Sequence, residues 1–120
     1  MTHLKIDYVE LASRNIAATQ TFLAKAFDWT FTDYGPEYQA LANAGIDGGV
    51  FQSADEALKP PLVILKADDL AAAETAVKLA GGVITQPPFS FPGGRRFHFR
   101  EPGGNEMAVW SQTRRSLPWR

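Results

Sequence analysis

Apolar and polar positions alternate from residue 4 to 11, the two-residue period of a half-buried strand. Beyond it Ile16, Phe22, Leu23 and Phe27 recur at roughly helical spacing, which predicts a helix with those four side chains on its apolar side. Residues 29–34 are rich in aromatic and β-branched side chains and read as a strand. Gly35-Pro36 is a turn signal, and 38–43 returns as a second strand. A third covers 46–53, where Gly48-Gly49 marks a bulge or a close backbone approach. After a loop at 54–60, the run 62–65 reads as a buried strand and 69–80 as a helix closed by Gly81-Gly82. A strand at 83–86 is then expected to be interrupted by Pro87-Pro88 and to continue at 89–91. Turns at 92–94 and 101–104 bracket a strand at 95–100, and 105–111 is the last strand.

The two halves of this pattern repeat. Asn15 to Ala26 aligns with Asp69 to Ala80, with Ala17/Ala71, Ala18/Ala72, Thr21/Thr75 and Ala26/Ala80 identical. Each copy opens on a residue suited to cap a helix, Asn15 or Asp69, and follows an apolar strand. A repeat of this length is one supersecondary unit used twice. The expected fold is therefore α+β, with two tandem βαβββ modules at about 4–53 and 62–111 forming a curved mixed sheet around a cleft. The short loop between them does not mark independent domains, so 1–120 reads as one domain with a tail at 112–120.

Composition narrows the function more by exclusion than by assertion. The 120 residues carry a formal net charge of -1, which gives no argument for nucleic acid or an acidic membrane. Cysteine is absent, so disulfides, thiolate metal sites and cysteine nucleophiles are excluded. With no signal-like segment before the first strand and no apolar run of membrane-spanning length, a soluble cytoplasmic protein is the expectation.

Strand parity selects the candidate chemistry. If each helix covers one face of its module, the other face is free for a ligand. Val9 and Leu11 suit the helix face, which leaves Ile6, Tyr8 and Glu10 opposite. Phe97 and Phe99 suit the helix face, which gathers Arg96, His98 and Arg100 on the other. Met107 and Val109 likewise leave Glu106, Ala108 and Trp110. Aromatic walls with a few convergent ionisable groups are the usual make-up of a small-molecule site. Each residue also has a plainer reading. Tyr8 and Trp110 fit as wall or core aromatics, Arg96 and Arg100 as solvated edge charges, and His98 as a structural histidine. Glu10, between two apolar neighbours, is either paired with an arginine or functional, because an unpaired buried charge is costly.

The duplicated pattern resembles the vicinal oxygen chelate superfamily, which contains glyoxalase I, extradiol dioxygenases and bleomycin resistance proteins. The stretch Phe97-His98-Phe99-Arg100-Glu101-Pro102-Gly103-Gly104-Asn105 is similar to that superfamily's turn between its last two strands. Asn15 and Asp69 sit where its helices start, and Phe22-Leu23 followed by Phe27-Asp28-Trp29 resembles its helix end and strand entry. The resemblance spans 4–111. It implies four metal-ligand positions, which fall here on Tyr8, Gln52 (near Phe51), Leu62 and Ala108. Of these only Gln52 is an ordinary ligand for a hard cation, and alanine and leucine cannot serve. No cofactor is therefore expected. A displaced divalent-metal site using Glu10, His98 and Glu106 is the alternative.

Three functions follow as expectations. The first is a protein of the bleomycin resistance kind that binds a small organic molecule without metal, with Tyr8, Phe51 and Trp110 as walls and Glu10, Arg96, Arg100 and Glu106 orienting the ligand. The second is a glyoxalase-like lyase or isomerase, with Glu10 or His98 moving a proton and an arginine stabilising an enolate-like charge. The third is a non-catalytic interaction module. The resemblance also implies a homodimer, and a tail docked through Leu117 and Trp119 would cover its apolar surface there.

Overall fold

The computed structural model describes residues 3–54 and 59–113, and among them the chain forms two helices and eight strands. The expected docking of Leu117 and Trp119 lies outside the described residues. By internal contacts the chain divides into two compact units, Asp7–Leu62 and, with the residues up to Ile6, Val63 onward.

The first module runs β1 (Lys5–Ser13), α1 (Ile16–Phe27), β2 (Phe31–Asp33), β3 (Tyr38–Leu41) and β4 (Gly48–Gln52). Its strands lie in the order β2-β3-β4-β1. β1 runs parallel to β4, with Glu10 beside Gly49 and Leu11 beside Val50, and the other pairings are antiparallel. The second module repeats this plan with β5 (Leu62–Lys66), α2 (Leu70–Leu79), β6 (Val83–Phe91), β7 (Gly94–Arg100) and β8 (Glu106–Gln112). Its order is β5-β8-β7-β6, again with one parallel pair, β5 with β8. The α+β class and the tandem βαβββ order predicted from the sequence hold.

Both helices start as the repeat requires. The Asn15 side chain accepts a hydrogen bond from the Ala18 amide, and that of Asp69 from the Ala72 amide, each at 3.0 Å. Each satisfies one of the amides a helix start leaves without an internal partner. α2 then packs Leu70, Ala73 and Val77 on Phe97, Phe99, Met107 and Val109. The helix-face parity read from β7 and β8 is therefore correct.

Two expectations need correction. Phe22 and Phe27 do not join the buried side of α1; they are 61% and 57% exposed, while Ile16 and Leu23 are buried. A helix advances about 100° per residue, so Phe22 points well away from its neighbour Leu23. Gln20 occupies the inward position, and its Nε2 reaches the buried Gln39 at 3.5 Å. Phe22 instead meets Phe27 edge-on, and Phe27 leans on Trp29. The second correction concerns Pro87-Pro88, which do not interrupt their strand, since β6 runs unbroken from Val83 to Phe91. It lies at the end of its module's strand order, and its pairing with β7 shifts register on either side of Gln86. An edge strand with bulges tolerates residues that lack an amide donor.

Candidate functional site

Each module turns a face of mixed chemistry away from its helix, and the two faces differ. In the first module β1, β3 and β4 bring Tyr8, Glu10, Tyr38 and Phe51 to one side. The Tyr8 and Tyr38 hydroxyls are 2.5 Å apart, and the Tyr38 hydroxyl donates to Glu10 Oε2 at 3.1 Å. A carboxylate only accepts, so the single Tyr38 proton is committed to Glu10 and Tyr8 supplies the proton of the shorter contact. Burial, with the charge of Glu10 next and then Tyr8, pushes the Tyr38 phenol well above its ordinary value of 10.0. Tyr38 is thus held as a neutral donor. Gly49 makes the arrangement fit: a Cβ there would overlap the Tyr38 hydroxyl and ring. The Gly48-Gly49 signal is thus a close approach, since a Cβ on Gly48 would likewise collide with the Val9 carbonyl. Sequence reasoning missed Tyr38, although its place opposite Phe51 in β4 follows from the hairpin register.

In the second module the helix-free face carries a continuous ladder. Lys66 Nζ lies 5.1 Å from the Trp110 ring centre, and Trp110 meets Phe91 at 6.1 Å. The Arg96 guanidinium sits over Phe91 at 5.8 Å and over Phe89 at 5.5 Å. Phe89 leans on His98 at 5.9 Å, and His98 Nδ1 is 3.2 Å from Glu106 Oε2, which also accepts from the Thr85 hydroxyl at 3.3 Å. Aromatic faces attract cations through their quadrupole, so the rings fix both positive groups. Of the sequence candidates, Arg96, His98, Glu106 and Trp110 are brought together here. Arg100 stands opposite Glu106 in the strand register but is exposed. Lys66, Phe89 and Phe91 were not foreseen. The alternation of β5 could have indicated Lys66, whereas the bulges of β6 hide the parity of the two phenylalanines.

The positions at which the resemblance places metal ligands are otherwise engaged. Gln52 lies on the α1 side of β4. Its Oε1 accepts from the Ile16 amide at 3.0 Å, and its Nε2 donates to the Arg14 carbonyl. The side chain that best suited a cation therefore ties down the start of α1. Ala108 is fully buried, Tyr8 is bonded to Tyr38, and Leu62 has no donor atom. Among the described residues no three His, Cys, Asp or Glu side chains form a group able to hold a metal ion. The donor set does not fit the family's metal.

The βαβββ duplication with these faces is that of a glyoxalase-type protein. Residues 5–109 match the family model of the Glyoxalase/Bleomycin resistance protein/Dioxygenase superfamily, and the chain belongs to that superfamily. Among solved structures it is similar to a superfamily member from Vibrio splendidus 12B01, with a TM-score of 0.70 and 15% identity, over 92% of this chain and 100% of that one. The Mn(II)-bound glyoxalase from Novosphingobium aromaticivorans matches with a TM-score of 0.67 and 20% identity, over 96% of this chain and 42% of that one. Methylmalonyl-CoA epimerase from Mycobacterium tuberculosis gives 0.69 and 12%, over 90% and 87%. At these identities the likeness is one of fold. No curated protein matches the sequence. Among the described residues no helix is long and apolar enough to cross a membrane.

Proposed function

We propose that this superfamily member binds a small organic molecule on its helix-free faces, without the divalent metal used by other members. The observation that carries the reading is the engagement of Gln52. Its amide is bonded at both ends to the backbone around the start of α1, and Tyr8, Leu62 and Ala108 offer a hard cation no better site. What the faces do offer is aromatic surface with a few fixed polar groups, the usual make-up of an organic ligand site. The homodimer implied by the family resemblance belongs to the same proposal, and sedimentation of the full chain tests it. Native mass spectrometry of the purified protein, set against its denatured mass and an elemental analysis, tests the function. An organic adduct on metal-free protein is the expected result. A stoichiometric divalent ion overturns the reading.

A second reading is favoured by one specific contact. Because Glu10 is aligned by the Tyr38 hydroxyl, it is positioned as a base for a glyoxalase-like lyase or isomerase. Glu10 would take a proton from the carbon next to a carbonyl, the C–H electrons would move into an enolate, and a hydrogen-bond donor would stabilise the oxyanion. His98, aligned by Glu106, is the alternative base. Deuterium incorporation into such a carbon, lost in Glu10→Gln or His98→Gln, separates catalysis from binding alone.

A further inference from the structure

We propose, resting on the homodimer reading and giving it a surface, that two copies of this chain pair through the aromatic patch at the C-terminal end of α1. Phe22 and Phe27 are each more than half exposed, yet their rings are held in place. Phe27 stands edge-on to Phe22 with ring centres 6.0 Å apart, and it leans on the half-buried Trp29 at 5.7 Å. The module plan does not require these rings. At the offset of the repeat, Phe22 corresponds to Ala76 and Phe27 to Gly81, and α2 packs on its sheet through Leu70, Ala73 and Val77 without them. α1 likewise turns Ile16 and Leu23, not the phenylalanines, into the core. A contiguous aromatic cluster that the shared plan leaves out is surface for a partner.

The patch is self-complementary, which points to a second copy. Lys25 and Asp28, both exposed, flank the rings, and among the described residues no salt bridge engages either. Asp28 is fixed as the cap of α1, its amide donating to the Ala24 carbonyl at 2.9 Å. A two-fold contact uses the same surface on both copies, so residue i of one meets residue j of the other and the reverse. An axis passing between Ala26 and Phe27 runs the two helix ends antiparallel and sets Lys25 of each copy against Asp28 of the other. Two ion pairs then border a core of aromatic rings. An aromatic side chain buries about 150–250 Å², so two rings more than half bare leave on the order of 200 Å² on each copy. With Trp29, Ala26 and the flanking charges, the pair covers about 1,000 Å² in total, the lower end for a specific interface. That area fits a dimer that dissociates at about 10 micromolar, not an obligate one.

The test is sedimentation of the full chain from about 1 to 200 micromolar, a range that brackets this dissociation constant, with amide NMR shifts over the same range. A monomer–dimer equilibrium is expected, and the shifts that move with concentration should centre on residues 22–29. Phe22→Ser with Phe27→Ser, at exposed positions, should keep the helical circular dichroism and weaken pairing at least about thirtyfold. Lys25→Glu leaves the rings in place but sets like charges together, and should weaken pairing about tenfold. Adding Asp28→Asn, which tolerates the left-handed cap, should recover most of that loss. A dimer that withstands the double serine variant pairs elsewhere, which overturns the proposal and leaves the homodimer reading standing. A full chain that stays monomeric throughout removes both. Unchanged pairing in Lys25→Glu overturns the two-fold arrangement. Shifts at residues 22–29 that ignore concentration but move on removal of residues 114–120 would give the patch to the chain's own tail, and overturn the proposal as well.

Discussion

Tyr38 shows how one phenol ties three residues together. It receives the Tyr8 hydroxyl, donates to Glu10, and lies over the bare Cα of Gly49. Adding one methyl group in Gly49→Ala drives the ring off its seat, and such overpacking costs about 1–3 kcal/mol; thermal unfolding should report it. Tyr38→Phe keeps the ring but removes the donor to Glu10, at a cost of about 1–2 kcal/mol. The two variants differ in pH dependence. The folded Tyr38 phenol is raised above the ordinary 10.0, so the stability linked to it is intact below that pH and is lost as pH climbs from there toward the folded value. Wild-type stability should therefore fall from about pH 10 upward, and Tyr38→Phe should fall less steeply. Parallel alkaline limbs would refute the assignment. In sequence, parity put Tyr8 and Glu10 on one face and Gly48-Gly49 signalled a bulge or a close approach, but Tyr38, which joins them, looked like any aromatic residue at a strand start.

At the scale of elements, the legible features were those with local causes. The caps at Asn15 and Asp69, the turns and the two-residue alternation of β7 and β8 all follow from neighbouring residues. Non-local features escaped: the inward glutamines of the first module and the bulges that let Pro87-Pro88 remain inside β6. Gln52 is the clearest case, because its partners Ile16 and Arg14 are far away in sequence. Gln52→Ala leaves an amide and a carbonyl at the helix start without those partners, and should cost about 1–2 kcal/mol in chemical denaturation. On α1 itself, Leu23→Ala should cost about 2–5 kcal/mol, whereas Phe22→Ala, on the exposed side, should stay within about 0.5 kcal/mol. Equal losses would restore Phe22 to the core. The β7–β8 turn carries a direct titration test. The Glu101 carboxylate accepts hydrogen bonds from the Gly103 amide and from the amide and side chain of Asn105. These bonds, that from Gly103 foremost, hold its pKa below the ordinary 4.5. Its NMR midpoint should lie under that value, and any stability linked to it should be present above that pH and fade as pH falls through the lowered midpoint.

Over the whole molecule, one supersecondary plan has been used twice and given two chemistries. The repeat made the plan readable, because matching caps and alternations imply matching topology. It could not reveal that the first module's free face would carry a carboxylate with two phenols, and the second's a cation–aromatic ladder, since each depends on which strands lie side by side. The same limit governs the metal. Family positions can be counted along the chain, but only the folded backbone shows the amide of Gln52 already engaged. The proposed metal independence makes a quantitative prediction. A native-state ligand present at a hundred times its dissociation constant stabilises by about 2.7 kcal/mol, which for a domain near this size raises the melting temperature by roughly ten degrees. Melting of the protein in EDTA and in excess manganese should therefore agree within about a degree, far inside that expected gain. A rise on the larger scale in manganese, reversed by EDTA, would mean that a cation recruits donors other than Gln52. Glu10, His98 and Glu106 would then be the first side chains to substitute.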